Sequence, residues 1–195
     1  MRIFGIDPGS ERTGYGCVET DGRRHHLVGC GAITALARDP FPQRLALIHR
    51  ELQALLDRWR PECVAVETLF HAVNARSALK LGHARGVAIL AAVEAGCEVV
   101  EYTPAEVKRA IVGYGRAEKH QVQQMIKLLL GLEKPPAPHD VADALAIAIC
   151  HVHSLPMFGT RDSGLGTRDR VPVPGSRNPD TRPTSWRRYR PAANG

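Results

Sequence analysis

Four carboxylates occupy positions that hydration alone does not explain: Asp7, Glu67, Asp140 and Asp143. Asp7 closes the run Arg2-Ile3-Phe4-Gly5-Ile6-Asp7, in which Ile3, Phe4 and Ile6 cover both parities of an extended segment. That is the pattern of a strand buried on both faces. Glu67 closes Cys63-Val64-Ala65-Val66-Glu67 in the same way. Asp140 and Asp143 lie three residues apart on a segment that is otherwise apolar nearly all round, so they share one face of a buried helix and repel each other. An acid at the tip of a buried strand costs free energy unless something compensates it. For Asp7 alone, a cap on its own turn, helped by Ser10 and Thr13, is a sufficient reason, and Asp140 alone suits the positive end of a helix dipole. Neither reason extends to Glu67 and Asp143. Four gathered carboxylates are stable when they are protonated or when a cation sits among them. An all-oxygen acidic set selects a hard cation such as Mg²⁺, with Mn²⁺ as a substitute. Two such ions about 4 Å apart suit in-line displacement at phosphorus, one activating the attacking water and the other stabilising the leaving 3′ oxygen.

Basic side chains should then hold the phosphate. Lys108 lies on the helix after the fifth strand, and Lys119 opens the next helix behind the glycine-containing loop at 113–116, where free backbone N–H groups also attract anions. Exposed helical lysines are common, so a solvated role stays open for both. Arg76, Lys80 and Arg85 lie on one long helix, where they serve either as contacts to a nucleic-acid backbone or as a solvated face. Phe70 follows Glu67 by three residues in a loop. It either stacks on or wedges between bases or anchors its loop by burial. His139, beside Asp140, is a possible ligand or base and is more simply a helix-terminal histidine.

The elements that must position these groups are legible in order. Strands are expected at 2–7, 13–19 and 26–34, joined by the polar turn at 10–12 and by Asp21-Gly22, which gives an antiparallel meander. Leu45, Ile48, Leu52, Leu55, Leu56 and Trp59 recur at helical spacing and predict a helix over 42–59, stopped by Pro61. The 63–67 strand follows, then a helix over 74–95 rich in Ala and Gly, capped by Gly96. Its small side chains suit close approach, either to the sheet or to a second subunit. A strand at 98–102 leads to a helix with Thr103 as N-cap and Pro104 at its first position. Helices over 117–130 and 139–153 complete the pattern, with Pro135, Pro136 and Pro138 between them. The fold class is therefore α/β: a mixed five-stranded sheet, three antiparallel strands and then βαβ crossovers, flanked by helices. Strands one, four and five run parallel, so Asp7 and Glu67 fall on the same edge, where open α/β sheets place their sites.

The 195 residues suit one domain, 1–154, followed by a tail, 155–195. The tail holds eight arginines against three aspartates, six prolines and few aliphatic residues, so it carries +5 of the net +6 and has no means of building a core. The folded part is nearly neutral, which weakens any argument from overall basicity to nucleic acid. Cys17, Cys30, Cys63, Cys97 and Cys150 are odd in number, far apart and free of any C-x-x-C spacing, so neither a disulfide framework nor a zinc ribbon is indicated. No apolar run reaches the 18 or so residues of a membrane span, and the first residues enter a strand directly, so a cytoplasmic protein is expected.

Several segments together resemble the bacterial Holliday-junction resolvase family RuvC. They are Gly5-Ile6-Asp7-Pro8-Gly9, the Glu67 strand end with Phe70, the helix segment from Ser77 to Gly86, Tyr102-Thr103-Pro104 with Lys108, Ala117-Glu118-Lys119, and the segment from Asp140 to Ala146. The resemblance covers residues 1–153 in unbroken order and leaves the tail outside. It implies a ribonuclease-H-like fold, a homodimer, and Mg²⁺-dependent cutting of four-way DNA junctions in homologous recombination and repair, in concert with RuvA and RuvB. It also implies that Asp7, Glu67, Asp140 and Asp143 are the catalytic metal ligands, that Phe70 stacks at the junction, and that Lys108 and Lys119 are functional. Some relatives carry histidine in the third acidic position; here that position falls on Asp140, with His139 as its neighbour.

Three other readings use the same residues. A nuclease of this fold acting on RNA–DNA hybrids shares the acid quartet, although Phe70 and the alanine-rich helix favour junctions. A non-catalytic junction scaffold would not need Asp7. An actin-like or sugar-kinase ATPase opens with a similar strand, but needs a second phosphate loop and a second domain.

Overall fold

The computed structural model describes residues 1–68, 74–155 and the backbone of 188–189. The meander comprises β1 (Arg2–Asp7), β2 (Arg12–Thr20) and β3 (His25–Thr34). Then come α1 (Phe41–Trp59), β4 (Cys63–Glu67), α2 (Ala75–Glu94) and β5 (Glu98–Tyr102). The helices α3 (Pro104–Val112), α4 (Lys119–Leu129) and α5 (His139–His153) follow. The sheet order is β3-β2-β1-β4-β5, with β1, β4 and β5 mutually parallel and β2 antiparallel to both neighbours. All five expected strands are present. A further two-residue strand, β6 (Arg188–Tyr189), pairs antiparallel with Val99 and Val100 on the outer edge of β5. It lies inside the stretch expected to form only a tail. Backbone pairing at an open edge needs no apolar pattern, which is why the sequence gives no sign of it.

The sheet separates two cores. On one face, α1 and α2 bury Phe4, Ile6, Val64 and Val66 against Ile48, Leu52, Leu56 and the alanines of α2. On the other, α3, α4 and α5 cover Ile3, Val18, Ala65 and Val100. Alternate residues of β1 and β4 thus point into different cores, which is why both strands read as unbroken apolar runs. Each fully buried aliphatic side chain contributes about 1.5–3 kcal/mol of transfer free energy.

Local chemistry sets the helix ends. Asn74 caps α2 by accepting from the Ser77 N–H, and Thr103 and Glu106 form a reciprocal capping box on α3. Helix α1 ends at Arg60 in the left-handed region, φ 45°, directly before Pro61. Helix α4 starts at Lys119, two residues later than its apolar stripe suggests, because Glu118 takes the N-cap with Gln121 completing the box. The five cysteines are free thiols, and all but Cys30 are buried.

Helix α2 divides its small residues between two faces. Ala84 is buried, and Ala88, Ala91 and Ala92 are buried against the sheet and α1. Gly82 and Gly86 instead face open space, beside Leu79 and Leu90, which are 64% and 50% exposed.

Candidate active site

Asp7 and Glu67 end neighbouring parallel strands. Ile6 pairs with Val66, so each carboxylate sits one residue beyond the last shared pair, on the same edge. Beyond Asp7 the chain turns through Pro8 and Gly9. The buried Thr13 hydroxyl donates to the Gly9 carbonyl at 2.8 Å and accepts from the Gly9 N–H at 3.4 Å. Thr13 therefore closes the turn on itself and does not cap Asp7. Among the described residues, neither the Asp7 nor the Glu67 carboxylate has a hydrogen-bond or ion-pair partner.

Helix α5 brings the other two acids. It lies directly on β1 and β2 because three glycines leave it room. Gly5 and Gly16 pair across the two strands, and Gly14 lies two residues from Gly16. A Cβ on Gly5 would collide with the Ala144 carbonyl, one on Gly14 with the Asp140 carbonyl, and one on Gly16 with the Leu145 side chain. The first turn of α5 is thereby held beside the end of β1. Sequence reasoning missed this role, although the period-two spacing of Gly14 and Gly16 was a usable signal for a close backbone approach.

The electrostatics follow from crowding. Burial, then the charges of Asp143, Glu67 and Asp140, push the Asp7 carboxyl up from 3.8 to about 8, while Lys119 opposes the shift. Burial and Asp143 push Glu67 up from 4.5 to about 7, against Lys119 and Lys108. Asp143 in turn raises Lys119, whose Nζ donates to Asp143 Oδ2 at 3.2 Å. Asp140 Oδ2 lies 3.5 Å from Arg12 Nη1, a partner that sequence reasoning did not single out. Glu67, Lys108, Lys119 and Asp143, with Pro104, Val107 and Val122, line a cavity of about 220 Å³.

The four acids thus lie at one edge and act on one another electrostatically. Among the described residues, however, no three carboxylate, imidazole or thiol side chains converge closely enough to hold one ion. The reason is local: Asp143 is turned to Lys119 and Asp140 to Arg12. The donor chemistry nevertheless fits a hard divalent cation. The donors are carboxylate oxygens, two of them half-buried and without an ion-pair partner among the described residues. His139 is exposed at the start of α5.

The remaining candidates divide. Arg76 is exposed near the start of α2 and Lys80 is partly exposed one turn on. Arg85 is turned inward: its Nη2 pairs with Glu101 Oε1 at 2.6 Å and its Nε donates to the Glu67 carbonyl at 3.1 Å. Phe70 falls within 69–73, outside the described residues.

A meander followed by parallel β4 and β5, with α5 seated across β1 and β2 and acids at the shared strand ends, defines a ribonuclease-H-like fold. The chain belongs to the RuvC family: the family described as crossover junction endodeoxyribonuclease RuvC matches residues 3–151. The chain is 57% identical to the crossover junction endodeoxyribonuclease RuvC of Koribacter versatilis over 155 residues, 79% of this chain and 93% of that protein. It is 50% identical to the RuvC of Ruminiclostridium cellulolyticum over 154 residues, 79% and 93% of the two chains. Among solved structures it is similar to Thermus thermophilus RuvC in complex with a Holliday junction substrate, with 39% identity, a TM-score of 0.74, and coverage of 77% of this chain and 92% of that one. The yeast mitochondrial Holliday junction resolvase shares the fold at 13% identity and a TM-score of 0.55.

Proposed function

We propose that the protein is a structure-selective endonuclease that resolves four-way DNA junctions by paired, symmetric phosphodiester hydrolysis in homologous recombination and repair. One observation carries the reading: the half-buried Asp7 and Glu67 carboxylates end neighbouring strands without an ion-pair partner among the described residues, and Glu67 lines a cavity whose other walls carry Asp143, Lys108 and Lys119. Such a pair is costly to keep unless a cation is part of the working state. Membership of the RuvC family and the likeness to a junction-bound relative supply the substrate class.

Asp7, Glu67, Asp140 and Asp143 would hold Mg²⁺, two ions in each site, with Mn²⁺ as a substitute. When bound, the ions supply an activated water and a stabilised leaving 3′ oxygen. The chain's own groups do the rest. Asp7 and Glu67 must give up their protons, so activity rises with pH through the range of their raised values, about 7 to 8. Lys119, released from Asp143, and Lys108 hold the phosphate from the α3–α4 side. Arg76 and Lys80 contact the DNA backbone, and Phe70 stacks against bases at the branch point.

Two symmetric cuts require two sites related by a twofold axis. The outer face of α2 suits a second copy, because Leu79 and Leu90 stand exposed over apolar grooves of about 640 and 760 Å³ along Gly82, Gly86 and Ile89. We therefore propose a homodimer through α2. Acting on chromosomal junctions, the protein would work in the cytoplasm, in concert with RuvA and RuvB. Residues 1–154 form the nuclease unit, and the basic stretch after it adds non-specific DNA affinity.

The test is cleavage of a synthetic four-way junction against linear duplex and RNA–DNA hybrid, with and without Mg²⁺, using Asp7→Asn as control. Selective, Mg²⁺-dependent cutting of the junction that Asp7→Asn abolishes is expected. Equal or greater activity on the hybrid would overturn the substrate assignment, and near wild-type cutting by Asp7→Asn would overturn the site.

A further inference from the structure

We propose that Arg85 is a positioning residue for Glu67: it cross-links the ends of β4 and β5 and thereby fixes the direction in which the Glu67 carboxylate enters the acidic edge. The inference rests on the reading of Glu67 as a metal ligand.

Strand β4 ends at Glu67, so the Glu67 side chain is aimed by a backbone with no further ladder on the β1 side, where pairing stops at Ile6 and Val66. On the β5 side, the Thr68 N–H and hydroxyl both bond the Tyr102 carbonyl, at 2.8 and 3.2 Å. Arg85 supplies a third attachment, and it acts on Glu67 itself. Its Nε donates to the Glu67 carbonyl at 3.1 Å, while Nη2 is held by Glu101 at 2.6 Å. Glu101 pairs with Val66, so the guanidinium spans adjacent strands at their shared end. Its planar fork suits two simultaneous, differently directed bonds in a way that a lysine ammonium does not. Both partners of the ion pair are largely withdrawn from water, with 20% and 15% of their side chains exposed, so the geometry is held firmly.

The same placement argues against a direct DNA role. Exposed Arg76 and partly exposed Lys80 lie toward the start of α2, whereas Arg85 lines the α2 groove that we assign to the second copy. A guanidinium bound to Glu101 and covered by a subunit cannot also reach a phosphate.

The experiment compares wild type, Arg85→Lys, the double variant Arg85→Met with Glu101→Gln, and Glu67→Gln. The double variant removes the pair without leaving a lone buried charge, and Arg85→Lys keeps the charge where the double variant fails to fold. Each is measured for Mn²⁺ binding without DNA, for junction affinity and its salt dependence in chelator, and for kcat and KM in junction cleavage. We expect the double variant to bind Mn²⁺ about tenfold to a hundredfold more weakly and to lose kcat by a similar factor, with KM, junction affinity and salt slope unchanged. Arg85→Lys should recover part of both losses. Mn²⁺ affinity and kcat within twofold of wild type in the folded Arg85 variants would overturn the proposal. So would weaker junction binding with a shallower salt slope and unaltered Mn²⁺ affinity, the signature of a phosphate contact. Glu67→Gln separates the two levels: if it keeps Mn²⁺ binding and cleavage, the reading of the site fails; if it loses both while the Arg85 variants do not, only the positioning role fails.

Discussion

Glu67 and Glu101 stand at the ends of adjacent parallel strands and receive opposite treatment. Glu101 has Arg85 at 2.6 Å. Glu67, one step further along the shared edge, has no ion-pair partner among the described residues, and its carboxyl is pushed up to about 7. The two acids differ little in sequence context, each following a short apolar run. A carboxylate kept for architecture is given its counter-charge by the fold. Glu67, which we propose is kept for chemistry, is left short of it: Lys119 and Lys108 oppose its shift only in part, and a bound cation would complete its stabilisation.

The contrast is broken most severely by exchanging oxygen for amide nitrogen at each glutamate. Glu67→Gln should lower junction cleavage by about a thousandfold or more, as expected when a metal-binding carboxylate is lost. It should cost no stability in chelator. Glu101→Gln should do the reverse on stability, leaving Arg85 largely buried without its anion and costing about 2–3 kcal/mol, below the full range for a wholly buried pair. Chemical unfolding of both variants in chelator checks the sign. If Glu67→Gln is the more destabilised of the two, the distinction collapses.

A comparable loss should follow from closing the gap under α5. Gly14→Ala places a methyl group against the Asp140 carbonyl, so the helix must move. A loss of about 1–3 kcal/mol is expected, with reduced cleavage. Unchanged melting and activity would show that α5 is not held by that contact.

The pH dependence gives a graded form of the same contrast. Asp7 and Glu67 have folded values of about 8 and about 7, above their ordinary values of 3.8 and 4.5. The unfolded chain therefore releases these protons first. In chelator their burial is tolerated fully below about pH 4, and stability falls as pH rises toward 8. Melting followed from pH 5 to 8.5 should show that fall in the wild type and a flatter curve in Asp7→Asn. A wild-type curve that rises over this interval would contradict the crowding of the acids. The smallest effect belongs to Arg12→Gln. Its pair with Asp140 is half exposed at 3.5 Å, so stability should change by less than about 1 kcal/mol.

Much of this was readable from the chain because the signals are local. Apolar runs ending on Asp7 and Glu67, the Asn74 and Thr103 caps and the stripe of α1 mark their elements to within a residue or two. The acidic edge was readable because strand ends and a helix face can be counted. What was not readable depends on partners distant in sequence. The glycine floor beneath α5 involves contacts between residues more than 120 apart, Gly5 with Ala144 and Gly14 with Asp140. Arg85 sits in a row of helical cations and is set apart from Arg76 by facing Glu101 and the Glu67 carbonyl, both distant in sequence. The pairing of Arg12 with Asp140 joins a turn to a helix that periodicity treats separately. The two residues of β6 use backbone groups, which carry no side-chain pattern.

The central claim, that Asp7 is kept at a cost the fold offsets only in part, is tested most directly by melting wild type and Asp7→Asn at pH 8.5, above the Asp7 value of about 8, in chelator and in Mg²⁺. In chelator the asparagine variant should melt several degrees higher, at about 2–4 °C for each kcal/mol relieved. Mg²⁺ should raise the wild type and leave the variant nearly unmoved. A variant that melts lower than wild type in chelator, with an equal Mg²⁺ shift in both proteins, would contradict the claim.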